Sequence, residues 1–350
     1  MKRKSIPMLR AAGLSAAAFF TTACAALVAA LIAGTLSSCE HKGFCDPEPP
    51  SVRVRVLFDW KNAPGASATG MSLYLYPDGG GEALRYDFPN ASGGTVEIPF
   101  GRYRALFLNN DSEVNLVRGA EDFSSFEVYT RNSSLLEPLG LQGNPEGATP
   151  PDEPVVLASG PLWAGRDYPV EISPAGVRSG NAATLPDMQL TLYPERRTCT
   201  YTVEIVNVSN LKYASAMGFS LSGLSGSAAP GTGRLSAMRS TVPFSARMDA
   251  ASSKVSARFL CFGTSTSANN ARTLSLYVIS SDGSKQYYTF DVGAQVNGAA
   301  DPLNVHILIN GLTLPKPIVN GGGFHPSVEE WQNVREEIDM KTSAVRHRDL

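Results

Sequence analysis

Val52-Arg53-Val54-Arg55-Val56 decides the fold class. In an extended chain successive side chains point to opposite faces, so the three valines share one face and the two arginines the other. That is a strand with one side in a core and one in water. Phe58 and Trp60 prolong the valine face.

The same alternation recurs outward from this stretch. Met71, Leu73 and Leu75 alternate with Ser72, Tyr74 and Tyr76, and Asp78-Gly79-Gly80-Gly81 supplies residues suited to a tight turn. Leu84, Tyr86 and Phe88 read as the returning strand. Pro99-Phe100-Gly101-Arg102-Tyr103 leads into Arg104–Leu108, which Asn109-Asn110-Asp111 ends, and strand-like pieces follow at Phe123–Tyr129 and Val155–Leu157. In the second half, Tyr201, Val203 and Ile205 share a face, as do Val255, Ala257, Phe259 and Cys261. Leu274–Ile279 and Gln286–Val292 flank Asp282-Gly283-Ser284 as a hairpin, and Leu303, Val305, Ile307 and Ile309 form a further strand. The one short-helix candidate is Asn210–Met217, where Leu211, Ala214 and Met217 recur every three residues.

About seven strands per half indicate an all-β chain of two β-sandwiches in series. The 350 residues, 43% of them hydrophobic, are enough for two cores. Gly140–Pro154, rich in Gly, Pro and acids, reads as a surface loop inside the first domain. The boundary is expected near Gly165, giving domains at 51–165 and 166–340 and a tail at 341–350.

Residues 1–38 read as a secretory leader. Lys2, Arg3, Lys4 and Arg10 precede an Ala-rich apolar run over 11–36, and Leu36-Ser37-Ser38-Cys39 closes it. Those last residues resemble a bacterial lipobox, which implies a diacylglycerol on the Cys39 sulfur and a third acyl chain on its amine. Two or more chains anchor a protein stably. The competing reading of the leader is an uncleaved transmembrane helix. Cys24 reads as filler inside the run, and residues 39–50, with three prolines, as a lipidated tether. Without the leader, 26 Lys+Arg stand against 32 Asp+Glu, a charge of −6. An acidic chain with no basic patch argues against nucleic acid as a partner.

Cys199 and Cys261 sit on inward faces of the second half, where they form either a disulfide that cross-links the two sheets of that core or two separate buried thiols. Cys45 has no evident partner. His41, His306, His325 and His347 lie at no metal-ligand spacing, so neither metal nor cofactor is expected. No nucleophile elbow, phosphate loop or zinc-protease signature is present, and Glu121-Asp122 and Glu329-Glu330 read as surface charge. No catalytic residue and no small-molecule substrate is inferred. Asn132-Ser133-Ser134 and Asn207-Val208-Ser209 match the glycosylation acceptor pattern by coincidence.

Several segments together resemble one family. They are Cys39-Glu40-His41-Lys42, Pro99–Tyr103 with Asn109-Asn110-Asp111, the run from Cys199 through Tyr213 to Gly226, and Gly321-Gly322-Gly323-Phe324 followed by Trp331, Val334 and Ile338. They are similar to Bacteroidales lipoproteins related to fimbrial anchor subunits of the FimB and Mfa type, within the fimbrillin superfamily. The closing segment departs from the family's acidic, alternating style at His325-Pro326 and Arg335. The resemblance implies two tandem transthyretin-like (Greek-key) sandwiches, an outer-membrane address, lipid-anchored at the cell surface, and a fimbrial shaft subunit as partner through β-strand addition.

Only Glu40–Ser51 separate the lipid site from the first strand. The expectation is therefore that the first strand is never removed and that the protein terminates a polymer as an anchor or related adhesion component. The alternative is a surface module binding a glycan or host protein, with Trp163 and Trp331 as stacking candidates. Residues of that type are more often core.

Overall fold

A computed structural model describes residues 50–148, 150, 152–166, 168–173, 188–317 and 330–334. Met1–Pro50 and Ser51–Leu350 are separate compact units, and the described residues lie in the second except for Pro50.

In the first part the strands are β1 (Ser51–Phe58), β2 (Met71–Pro77), β3 (Leu84–Phe88), β4 (Gly93–Pro99), β5 (Gly101–Asn109), β6 (Leu116–Arg118), β7 (Glu127–Tyr129), β8 (Trp163–Ala164), β9 (Tyr168–Ile172), β10 (Met188–Leu192) and β11 (Glu195–Arg196). There follow β12 (Cys199–Ser209), β13 (Ala214–Ser225), β14 (Ser227–Ala229), β15 (Arg234–Leu235), β16 (Arg239–Ser245), β17 (Arg247–Asp249), β18 (Lys254–Cys261), β19 (Thr273–Ser280), β20 (Lys285–Asp291), β21 (Asn304–Thr313) and β22 (Gln332–Val334). Among the described residues helix is confined to short turns and to α1 (Gly293–Asn297).

Two sandwiches result. In the first, the sheet β10-β1-β4 faces the sheet β11-β8-β5-β2-β3, whose β5 also pairs with β9. Val52, Val54, Val56 and Phe58 meet Met71, Leu73, Leu75 and Phe107 in one core. In the second, β17-β18-β12-β21 faces β16-β13-β19-β20-β22. Tyr201, Val203 and Ile205 meet Phe219, Leu221 and Leu276 there. Both sandwiches use one device. A long strand, β1 or β12, lies between an antiparallel neighbour (β4 or β18) and a parallel one (β10 or β21). The parallel partner must return from far along the chain.

A small sheet, β15-β14-β7-β6, joins the two halves of the sequence. Val128 and Ala228 from it, with Phe123, Phe126 and Phe262, cover Tyr74, Tyr76, Leu106 and Leu108 on the outer face of the first sandwich. The alternating tyrosines of β2 are thus buried on one side and its aliphatics on the other, and no face of β2 meets water.

Several expectations change. The boundary near Gly165 falls between β8 and β9, yet β9 pairs with β5 and β10 with β1, so the first sandwich's strands continue to Leu192. The Gly140–Pro154 segment does not cover the first sandwich. With Leu135, Leu136 and Val155, its Ala148 packs on Tyr277 and Tyr287 of the second. Asn210–Met217 is not a helix. A single 3-10 turn at Leu211–Tyr213 gives way to β13 at Ala214, because Met217 belongs to a face that pairs across to Val278. Within Phe123–Tyr129 only Glu127–Tyr129 is strand, and Val155–Leu157 supplies isolated bridges alone. Leu303 lies outside β21 and is exposed.

Candidate functional site

β1 is the element on which a strand-exchange role turns. Ser51–Leu57 run antiparallel to β4 in unbroken register, and Val54–Phe58 run parallel to β10. Val52, Val54, Val56 and Phe58 are buried, Leu57 is half-buried, and Phe58 packs edge-to-face on Phe88 with ring centroids 5.6 Å apart. Each such side chain contributes roughly 1.5–3 kcal/mol by leaving water. Pulling β1 out would therefore forfeit that burial and break two ladders.

Other strand edges are guarded to different degrees. Among the described residues β21 has one strand neighbour, and at its middle Gln295 of α1 takes the place of a second. Leu308 N–H donates to Gln295 Oε1 (2.8 Å), and Gln295 Nε2 donates to the Leu308 carbonyl (3.0 Å). β16 carries Pro243 and is bridged at Thr241 by Val155. Proline and covering segments both blunt an edge. At the β20 edge lies the three-residue β22, fixed by Trp331 standing edge-on to Tyr277 at 5.7 Å. β6, by contrast, is exposed along its length, with Leu116 and Val117 uncovered.

Cys199 and Cys261 are brought together. They sit opposite each other on the neighbouring strands β12 and β18, so they lie in one sheet and not across two. Both are free, buried thiols, and burial raises the Cys199 pKa to about 11 and pushes Cys261 up as well. His306 stands on the outer face, 3.1 Å from Glu204 Oε2, whose other oxygen accepts from Lys254. Trp163 is buried and packs edge-to-face on Trp60 at 6.1 Å, so it offers no stacking platform, and Trp331 faces Tyr277. Cys39, His41, Cys45, His325, Glu329 and His347 lie outside the described residues. Among the described residues no cluster of metal-binding side chains occurs, and no helix is long and apolar enough to cross a membrane.

Sequence reasoning missed one buried charged cluster. Glu153 lies just after the Gly- and Pro-rich segment, and its side chain is 3% exposed. Its Oε1 accepts from Arg239 Nε at 2.7 Å, and its Oε2 accepts from Gly223 N–H (2.9 Å) and the Thr241 hydroxyl (3.0 Å). Arg272, 2% exposed, lies alongside. Asn269 O accepts from Arg239 Nη1 (2.5 Å) and Arg272 Nη1 (3.0 Å), and Ala271 O from Arg239 Nη2 (2.8 Å) and Arg272 Nη1 (2.9 Å). Burial, reinforced by the charge of Arg239, pulls the Arg272 pKa down. Residues 153, 239 and 272 are far apart in sequence, and no local pattern announces them. The sole local hint is an arginine one residue before the apolar run of β19.

The family described as a domain of unknown function, DUF5119, matches residues 38–245. A protein of Bacteroides ovatus provisionally named fimbrium anchoring subunit Fim4B is 28% identical over 122 residues, 35% of this chain and 35% of that one. The chain thus aligns with about a third of that relative's length. A crystal structure of a provisionally named adhesin from Bacteroides ovatus shares the fold, with a TM-score of 0.55 and 21% identity over 77% of this chain and 95% of that one. The fimbrial anchor protein Mfa2 of Porphyromonas gingivalis is a looser match. Its TM-score is 0.44 at 12% identity, over 75% of this chain and 91% of that one.

Proposed function

This chain belongs to the DUF5119 family, and from that premise we propose that it is a non-enzymatic, lipid-anchored outer-membrane component of a fimbrium, an anchor or assembly subunit or a related cell-surface adhesion component. The observation that carries the reading is β1, paired on both sides and buried along one face. A polymerising subunit that accepts a donor strand needs a vacant groove. Here the groove is filled by the chain's own strand, so the protein ends a polymer at that position instead of extending it.

In this reading the lipid on Cys39 holds the chain to the membrane, and the partner is a fimbrial shaft subunit. The β6 edge, with Leu116 and Val117 uncovered, is the described edge best suited to a partner's strand. The compartment is oxidising, and the opposed Cys199 and Cys261 then form a disulfide within one sheet. Directly opposed residues of an antiparallel pair have Cα atoms about 4.5–5.5 Å apart, inside the range a disulfide spans.

Deleting the gene tests the reading. Fimbriae shed from the cells or altered in length are expected. Fimbriae that stay attached at normal length would count against it.

A further inference from the structure

The cluster around Glu153 is unbalanced. Two guanidinium groups, Arg239 and Arg272, converge on the carbonyls of Asn269 and Ala271, and one carboxylate faces them. That carboxylate is fully occupied. One oxygen holds Arg239, and the other takes the Gly223 N–H and the Thr241 hydroxyl. Arg272 makes no ion pair among the described residues. Its Nη1 is taken by the two carbonyls and its Nε is enclosed without a partner. Nη2, with no hydrogen bond among the described residues, is the nitrogen left with donors to offer. Two largely buried cations that share one carboxylate leave an uncompensated positive charge, which is strongly unfavourable, so the cluster calls for a second anion.

Beside it lies the space for one. A cavity of about 410 Å³ is lined by Arg272 with Tyr201, Thr264, Asn270, Asn297 and Pro302. That volume is within the range of small-ligand sites, and the wall divides about evenly between polar and apolar residues, a lining more suited to a hydroxylated ligand than to an apolar one. Gly223 closes the back of the cluster. Its φ is +79°, and a Cβ there would lie 2.8 Å from Arg272 Cδ and Nη1, so only glycine lets the guanidinium settle in this position.

We propose that this cavity is a binding site for a sugar-sized organic acid, whose carboxylate pairs with Arg272 and whose hydroxyls meet the polar rim. The site is independent of the anchoring role. It makes a local positive point in a chain whose net charge is negative.

Isothermal titration of the full protein in detergent with galacturonate, glucuronate and N-acetylneuraminate tests it, with galactose and acetate as comparisons. Saturable binding of at least one acidic sugar is expected, weakened by salt and at least about tenfold tighter than galactose, as one charge-assisted contact requires. Arg272→Gln should reduce that affinity about tenfold or more. Because Arg272 also holds the Asn269 and Ala271 carbonyls, a second variant is placed at Thr266, an exposed residue of the same cavity wall that makes no hydrogen bond to Glu153, Arg239 or Arg272: Thr266→Trp fills the rim without touching the cluster. It should abolish binding and leave the unfolding midpoint unchanged. No saturable binding of any acidic sugar, equal binding of galactose or acetate, or full affinity in Arg272→Gln or Thr266→Trp would overturn the proposal.

Discussion

Replacing Glu153 by alanine should be among the most destabilising single changes outside the apolar cores. The carboxylate makes three hydrogen bonds, one of them to a guanidinium, and its side chain is 3% exposed against 12% for Arg239. Its removal leaves Arg239 and Arg272 facing each other without a counter-charge and strands the Gly223 N–H. Breaking a buried pair by removing one partner costs about 3–5 kcal/mol. Against a total stability of roughly 5–15 kcal/mol, that is a large fraction. An exposed pair gives the contrast. Arg118 and Glu127 are 57% and 32% exposed, so Glu127→Ala should cost about 0–1 kcal/mol. Glu153→Gln, which keeps an acceptor but loses the charge, should fall between. Urea unfolding of the three variants and the wild type, followed by tryptophan fluorescence, measures all of this. A loss below about 1 kcal/mol for Glu153→Ala, or equal losses for both alanine variants, would refute the reasoning.

Gly93 has φ +99°, and a Cβ there would lie 2.2 Å from the Val56 carbonyl oxygen on β1. Gly93→Ala should therefore lower stability by at least about 1–3 kcal/mol, read from the denaturant midpoint. Oxidation of Cys199 and Cys261 to a disulfide closes a long loop and should add about 4 kcal/mol on the chain-entropy model, seen as a higher midpoint without reductant. An unchanged midpoint together with two titratable thiols after denaturation would count against the bond. Two carboxylates make stability acid-sensitive. Glu204 is held below its ordinary pKa of 4.5 by the hydrogen bond from Lys254 and then by His306. Burial pushes Asp111 up, but hydrogen bonds from Asn109 and Thr69 outweigh it and leave it below 3.8. A folded pKa below the unfolded one gives stability that is present at neutral pH and lost as pH falls through the folded value. Stability should decline below about pH 4.5, and Glu204→Gln with Asp111→Asn should flatten that decline.

The local half of the fold was legible and the non-local half was not. Val52–Val56 and Tyr201–Ile205 announce their strands because period-two burial is written into neighbouring residues. Asp282-Gly283-Ser284 announces its hairpin because Gly283 supplies the positive φ of 82° that the turn requires. The pairing of β1 with β10 leaves no such trace, since a parallel partner can come from anywhere along the chain. The same holds for Leu135, Leu136 and Ala148. Inside a Gly- and Pro-rich stretch they look like loop residues until Tyr277 and Tyr287 provide a surface to cover. The inward faces of Cys199 and Cys261 were readable, but which sheet each joined was not, because register between strands is a tertiary fact. The Glu153 cluster lay furthest from reach, being made of single residues from three distant segments.

The account depends on β1 remaining in its sheet for the life of the protein. Intact-mass and terminal-peptide mass spectrometry of the protein extracted from native membranes measures this directly. We predict a chain that begins at Cys39, carries acyl chains there and retains Ser51–Phe58. A terminus beyond Phe58 would mean that the strand is removed and its groove opened, and it would contradict the account.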